Sequence, residues 1–108
     1  MKFAPKYAMQ VGGMLHLWSS PDRSFGHSFL RLDFECEADP YPGILILTDQ
    51  TYLSASAVAV RNLRKELPAL LEKVNEDAVA YWWLERDQIE LESVLSRLTE
   101  RPIFADIR

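Results

Sequence analysis

Four consecutive aliphatic residues, Ile44-Leu45-Ile46-Leu47, most constrain how this chain can fold. The run is too short for a buried helix, and two of its residues are β-branched. It therefore reads as a strand covered on both faces. Residues around it supply the rest of a sheet. Tyr7 to Val11 and Met14 to Ser19 flank Gly12-Gly13 and read as a hairpin, because two glycines tolerate the positive φ of a tight turn. Ser20-Pro21-Asp22-Arg23 reads as a turn.

Residues 27–36 alternate in polarity. Leu30, Leu32, Phe34 and Cys36 fall on one side of an extended chain, and Phe29, Arg31, Asp33 and Glu35 on the other. This period of two predicts a half-buried strand with an acidic, solvated face. The segment 37–43 contains Pro40 and Pro42, which exclude a strand there.

The period then lengthens. Leu53, Ala57, Val60, Leu63, Leu67, Leu70, Leu71 and Val74 recur at steps of three and four, which predicts an amphipathic helix that kinks or restarts near Pro68. Tyr52, Val58 and Val60 favour strands, so residues 52–60 are either helix or a further strand. Val79 to Leu84 reads as a strand, with Tyr81 and Trp83 on one face and Trp82 on the other. Asp87 followed by Glu90 has capping-box spacing, and Ile89, Val94, Leu95 and Leu98 mark the buried stripe of a last helix ending near Arg101. Ile103 to Ile107 reads as an edge strand or docked tail. Strands first and helices second, without regular alternation, predict an α+β fold over 1–108 as one domain. Its sheet is antiparallel or mixed, of about four to six strands, with two or three helices mainly on one face.

Charge narrows the function classes. The chain has 108 residues and net charge −4. Lys2, Lys6, Arg23 and Arg31 oppose only Asp22 in residues 1–31, whereas Asp33, Glu35, Glu37, Asp39 and Asp49 stand without a base in 32–51. An acidic excess opposes nucleic-acid binding, which needs a basic face to neutralise phosphates. No apolar run approaches the roughly 20 residues that span a bilayer, and no secretory pattern opens the chain. A single cysteine, Cys36, forms no internal disulfide, which agrees with the cytoplasm.

Catalytic vocabulary is sparse. His16 and His27 are the only histidines, and with Cys36 they could form a nucleophile and base. Cys36 lies on the apolar side of its predicted strand, where cysteine usually packs as a small hydrophobe. Asp33, Glu35, Glu37 and Asp39 are oxygen donors at alternate positions, but same-face residues of a strand lie about 6.5–7 Å apart, too far to cage a cation. Gly12-Gly13 lacks the lysine and helix of a phosphate loop. No metal and no cofactor is expected.

Two strings resemble known families. Phe25 to Asp33 resembles a segment of bacterial envelope proteins with a papain-like domain; the likeness stops at nine residues and reads as coincidence. The pattern over 27–74, strands followed by Thr48-Asp49-Gln50-Thr51-Tyr52-Leu53 and an amphipathic helix, is similar to small immunity proteins of bacterial polymorphic-toxin systems. That resemblance implies a cytoplasmic, often acidic, non-enzymatic protein that caps a cognate toxin. The acidic run reads as a solvated face and the tryptophans as buried, or else together they make a binding surface for a basic protein: Asp33, Glu35, Glu37 and Asp39 for steering, and Tyr41, Trp82 and Trp83 as anchors. The alternatives are a small histidine-dependent enzyme, with His27 or His16 as base and Asp33 as helper, and a homodimeric structural subunit.

Overall fold

The computed structural model describes residues 2–3, 8–18, 26–35, 37–49, 55–74 and 76–100. Cys36, the turn at Ser20–Arg23, Leu53 and the segment Ile103–Ile107 lie outside them.

The strands are β1 (Lys2–Phe3), β2 (Ala8–Val11), β3 (Met14–Trp18), β4 (Gly26–Arg31), β5 (Gly43–Thr48), β6 (Ala55–Val60) and β7 (Val79–Leu84). The helices are α1 (Leu63–Leu71) and α2 (Gln88–Glu100). The strands form one antiparallel sheet in the order β1-β6-β5-β7-β4-β3-β2. Five of the seven have five or six residues, with the shorter β1 and β2 at the edges. The fold is α+β, as the sequence predicts.

Local chemistry explains the elements. Gly12 takes a φ of 58° in the two-residue loop between β2 and β3, where a side chain would be strained. Asn62 caps α1: its Oδ1 accepts the Lys65 N–H at 3.2 Å, while Glu66 Oε2 accepts the N–H groups of Arg61 and Asn62 at 2.8 Å each. Pro68 is accommodated inside α1 and its carbonyl accepts the Glu72 N–H. Asp87 caps α2, its Oδ1 accepting from the N–H groups of Ile89 at 2.9 Å and Glu90 at 3.3 Å.

The sheet has two packed faces. On one, Leu91, Val94 and Leu98 of α2 cover Leu15, Leu17, Phe29, Ile44, Ile46, Val79 and Tyr81. On the other, Leu63, Leu67, Leu70 and Leu71 of α1, with Val74 beyond it, cover Leu45, Leu47, Val60, Ala80 and Trp82. The helices thus sit on opposite faces, not mainly on one. Every residue of β5 is buried, which requires cover on both sides. Gly43 opens that strand: a Cβ there would clash with the Trp83 carbonyl oxygen and lie 2.6 Å from Trp82 Cη2 and 2.7 Å from Trp82 Cζ2, so the backbone of β7 and the indole both need the space.

Residues 55–60 are strand β6, and the helix starts only at Leu63. Ala55 and Ala57 pack on the α2 side, and Val60 on the α1 side. The step of three from Val60 to Leu63 matched a helical stripe but spans a strand end and a cap. Strand β4 also departs from expectation. It ends at Arg31, and its facing is reversed: Phe29 is fully buried, whereas Leu30 is 58% exposed. Phe34 lies in a turn and is exposed. In α2, Leu91 takes the buried place expected for Ile89, which is exposed.

Two crossovers interleave. Strands β4 and β5 flank β7 and run the same way, as β6 and β7 do around β5. The β6–β7 connection carries α1. The β4–β5 connection, residues 32–42, lies on that same face, since Leu32 and Ala38 pack against the cluster containing Leu45 and Trp82.

Candidate functional site

The acidic residues singled out in the sequence do not share one strand face. The chain leaves β4 after Arg31, with the Leu32 N–H donating to the Ala80 carbonyl at 2.9 Å. It then turns, the Asp33 Oδ1 accepting the Glu35 N–H at 2.9 Å. This local bond, a usual role for aspartate, ends the extended conformation.

The turn brings Asp33 and Glu35 beside two carboxylates that the alternation did not mark. Asp33, Phe34, Glu35, Glu76, Asp77 and Arg31 line a groove of about 590 Å³ where β4 ends and β7 begins. Four carboxylates and one guanidinium thus border the same groove, and all four acidic residues are exposed. The sequence signal for the second pair is Glu76-Asp77 in the turn just before the aromatic strand.

Farther along the crossover the chain is tied to α1. The Arg64 N–H donates to the Asp39 carbonyl at 3.0 Å and the Leu63 N–H to the Tyr41 carbonyl at 3.1 Å. The Arg64 Nε donates to the Ala38 carbonyl at 2.9 Å and lies 3.2 Å from Glu37 Oε1. That ion pair is largely exposed and contributes little stability alone. The backbone bonds do the holding. Tyr41 is exposed, and the Arg86 guanidinium stands 4.3 Å from its ring centroid.

Of the expected anchors, Tyr41 joins the acidic crossover at the surface. Trp82 is 6% exposed beneath that crossover and α1, and its Nε1 is buried without a hydrogen-bond partner among the described residues. Trp83 is half-buried on the α2 side, with His27 and Phe29 at ring-centroid distances of 5.2 and 6.4 Å. The two tryptophans therefore lie on opposite faces, as alternation requires.

The histidines are separated as well. His16 pairs across the β3–β4 ladder with Ser28, its Nδ1 2.6 Å from Ser28 Oγ, on the face that carries α1. His27 lies on the α2 face. Burial pushes the His27 imidazole below its ordinary range; Glu90 opposes that shift and Arg97 adds to it. One site cannot use both rings. No three His, Cys, Asp or Glu residues gather to hold a metal ion among the described residues. No helix among them is long and apolar enough to cross a membrane.

The chain matches no protein-family model, and no curated protein or solved structure proves similar to it.

Proposed function

We propose that this protein is a non-enzymatic binding module that neutralises a basic protein, a toxin or an enzyme, by covering it, as an immunity protein does in the cytoplasm. The observation that carries this reading is the exposed acidic groove. Asp33, Glu35, Glu76 and Asp77 come from two distant segments and line one groove with the exposed Phe34. Asp39 continues the acidic run along the crossover, where Glu37 is paired with Arg64, and the crossover ends at Tyr41. Clustered charge of one sign accelerates association with an opposite surface, and exposed aromatic groups supply contact area once docked.

Affinity capture tests this, using tagged protein and lysate of its source at about 50 mM salt, where surface charge is little screened. Wild type should retain one basic protein in near-equal amount. Raising salt to about 500 mM should release it. Recovery should fall about tenfold for the D33A/E35A/E76A/D77A variant. Equal capture by both chains, or none by either, overturns the reading.

The His16–Ser28 contact favours a second reading, a hydrolytic site in which His16 takes a proton from Ser28. Both residues lie on an open sheet face, where a cross-strand polar pair is an ordinary arrangement. This reading ranks second.

A further inference from the structure

The face that carries α1 is covered unevenly. Helix α1 lies over Leu45, Leu47 and Val60 of β5 and β6, and the crossover packs through Leu32 and Ala38 beside Ala80 and Trp82 of β7. Beyond β7 come β4, β3 and β2. The register puts Met14, Leu30, Trp82 and Leu45 in one row across this face, and His16 and Ser28 in the next row. The first row changes from buried to open along its length: Trp82 is 6% exposed, whereas Leu30 is 58% exposed. Met14 and His16 are half-buried and Ser28 is exposed. No helix among the described residues covers that half.

The open strip has a definite width and border. Neighbouring strands lie about 4.8 Å apart, so the outer axes of β4, β3 and β2 are about 10 Å apart. A helix with its side chains is about 10–12 Å across, and α1 shows that this face accepts one. On the floor, Met14 and Leu30 are apolar, and His16 and Ser28 are polar and paired with each other; beside it the crossover leaves β4 through the exposed Asp33 and Glu35, while Glu37 farther on pairs with Arg64 of α1. A partly apolar floor beside an acidic wall complements a helix with leucines on one side and lysines or arginines on the other.

We propose that the open face of β4 and β3, floored by Met14, Ser28 and Leu30 and walled by the acidic crossover, seats a basic amphipathic helix of the partner protein. This deepens the reading given under Proposed function and rests on it: acidic residues draw the partner in, and Leu30 receives its apolar side.

A defined probe tests the seat. It is an amphipathic peptide of about 18 residues with a leucine face and a lysine face, compared with the same peptide carrying glutamates for lysines. Titrated into the isotope-labelled chain, the lysine peptide should shift the amide signals of Met14–Leu17 and Ser28–Arg31. Leu30→Ser and Met14→Ser should each weaken binding about tenfold with the melting transition retained, and D33A/E35A should weaken it with loss of salt dependence. The glutamate peptide should not bind. If the acidic variant loses binding while both serine variants keep it, the helix seat is wrong and the acidic contact stands. If no variant changes binding, both fall. A dimer of the chain alone that Leu30→Ser dissociates would make a second copy the occupant and overturn the proposal.

Discussion

Leu30 and Trp82 face each other across the β4–β7 ladder on the same side of the sheet, yet Leu30 is 58% exposed and Trp82 only 6%. The boundary of the covered layer passes between them. It is set by residues 32–42, which cross over β7 and leave β4 open. Sequence-distant groups gather along that boundary: the carboxylates of the crossover, Phe34, and the Glu76-Asp77 turn.

Gly43→Ala should destabilise the fold by about 1–3 kcal/mol, the usual range for forcing a methyl into a filled core. The added carbon would meet the Trp82 ring and the Trp83 backbone. Chemical denaturation gives the stability change, and tryptophan emission should shift because the indole is displaced. An unchanged midpoint would mean that the Trp82 ring and the Trp83 backbone both adjust without cost.

Asn62→Ala should cost about 1 kcal/mol through loss of the cap on Lys65 N–H. Because α1 presents its Leu63 and Arg64 N–H groups to the crossover carbonyls, the same change should speed hydrogen exchange at those two amides. Faster exchange without any stability loss would show that the crossover, not α1, is the weaker partner.

The stability of the fold should decline as acid protonates His27. Burial depresses its folded-state pKa, so the unfolded chain takes up the proton first. The contribution is present above the ordinary histidine value of about 6.5 and is lost as pH falls through the depressed folded value. His27→Asn should remove that part of the dependence, read as melting temperature across pH 5 to 8 (a span of roughly the histidine range). A slope that survives in the variant would assign it to other groups.

Ser28→Ala removes the hydroxyl that His16 contacts. The hydrolytic reading makes one demand: a fluorophosphonate probe must label wild type and fail on both Ser28→Ala and His16→Ala. Absence of labelling on the wild type disposes of that reading. Labelling that persists in His16→Ala would show that the 2.6 Å contact does not activate the hydroxyl.

The sequence revealed elements better than facing. Strands β5 and β7 and the Asp87 cap were legible because each has a local cause: a run of aliphatics, a run of aromatics, and a carboxylate placed for two orphan N–H groups. Strand β4 misled because both of its sides are apolar in part. Phe29 and Leu30 compete for the interior, and the acids at 33 and 35 tipped the alternation the wrong way, although they lie past the strand in an aspartate turn. Facing depends on where the chain turns, and that bond is set by a side chain, not by periodicity. The helices' opposite faces were implicit in Ile44–Leu47, since a strand buried throughout cannot be covered from one side. Glu76 and Asp77 were invisible as site residues because only the pairing of β4 with β7, more than forty residues apart in the chain, brings them to Asp33.

The order β6-β5-β7-β4 has a consequence for how the protein is made. The strand at the middle of the sheet is the last of the seven in the chain. A ribosome that has released residues 1–78 has delivered two blocks of sheet, β2–β3–β4 and β1–β6–β5, with nothing to join them. Until Leu84 emerges, β4 and β5 each expose an edge where β7 belongs, and neither the acidic groove nor the Leu30 boundary exists. The acidic groove therefore cannot form before β7 is made, after every other strand of the sheet.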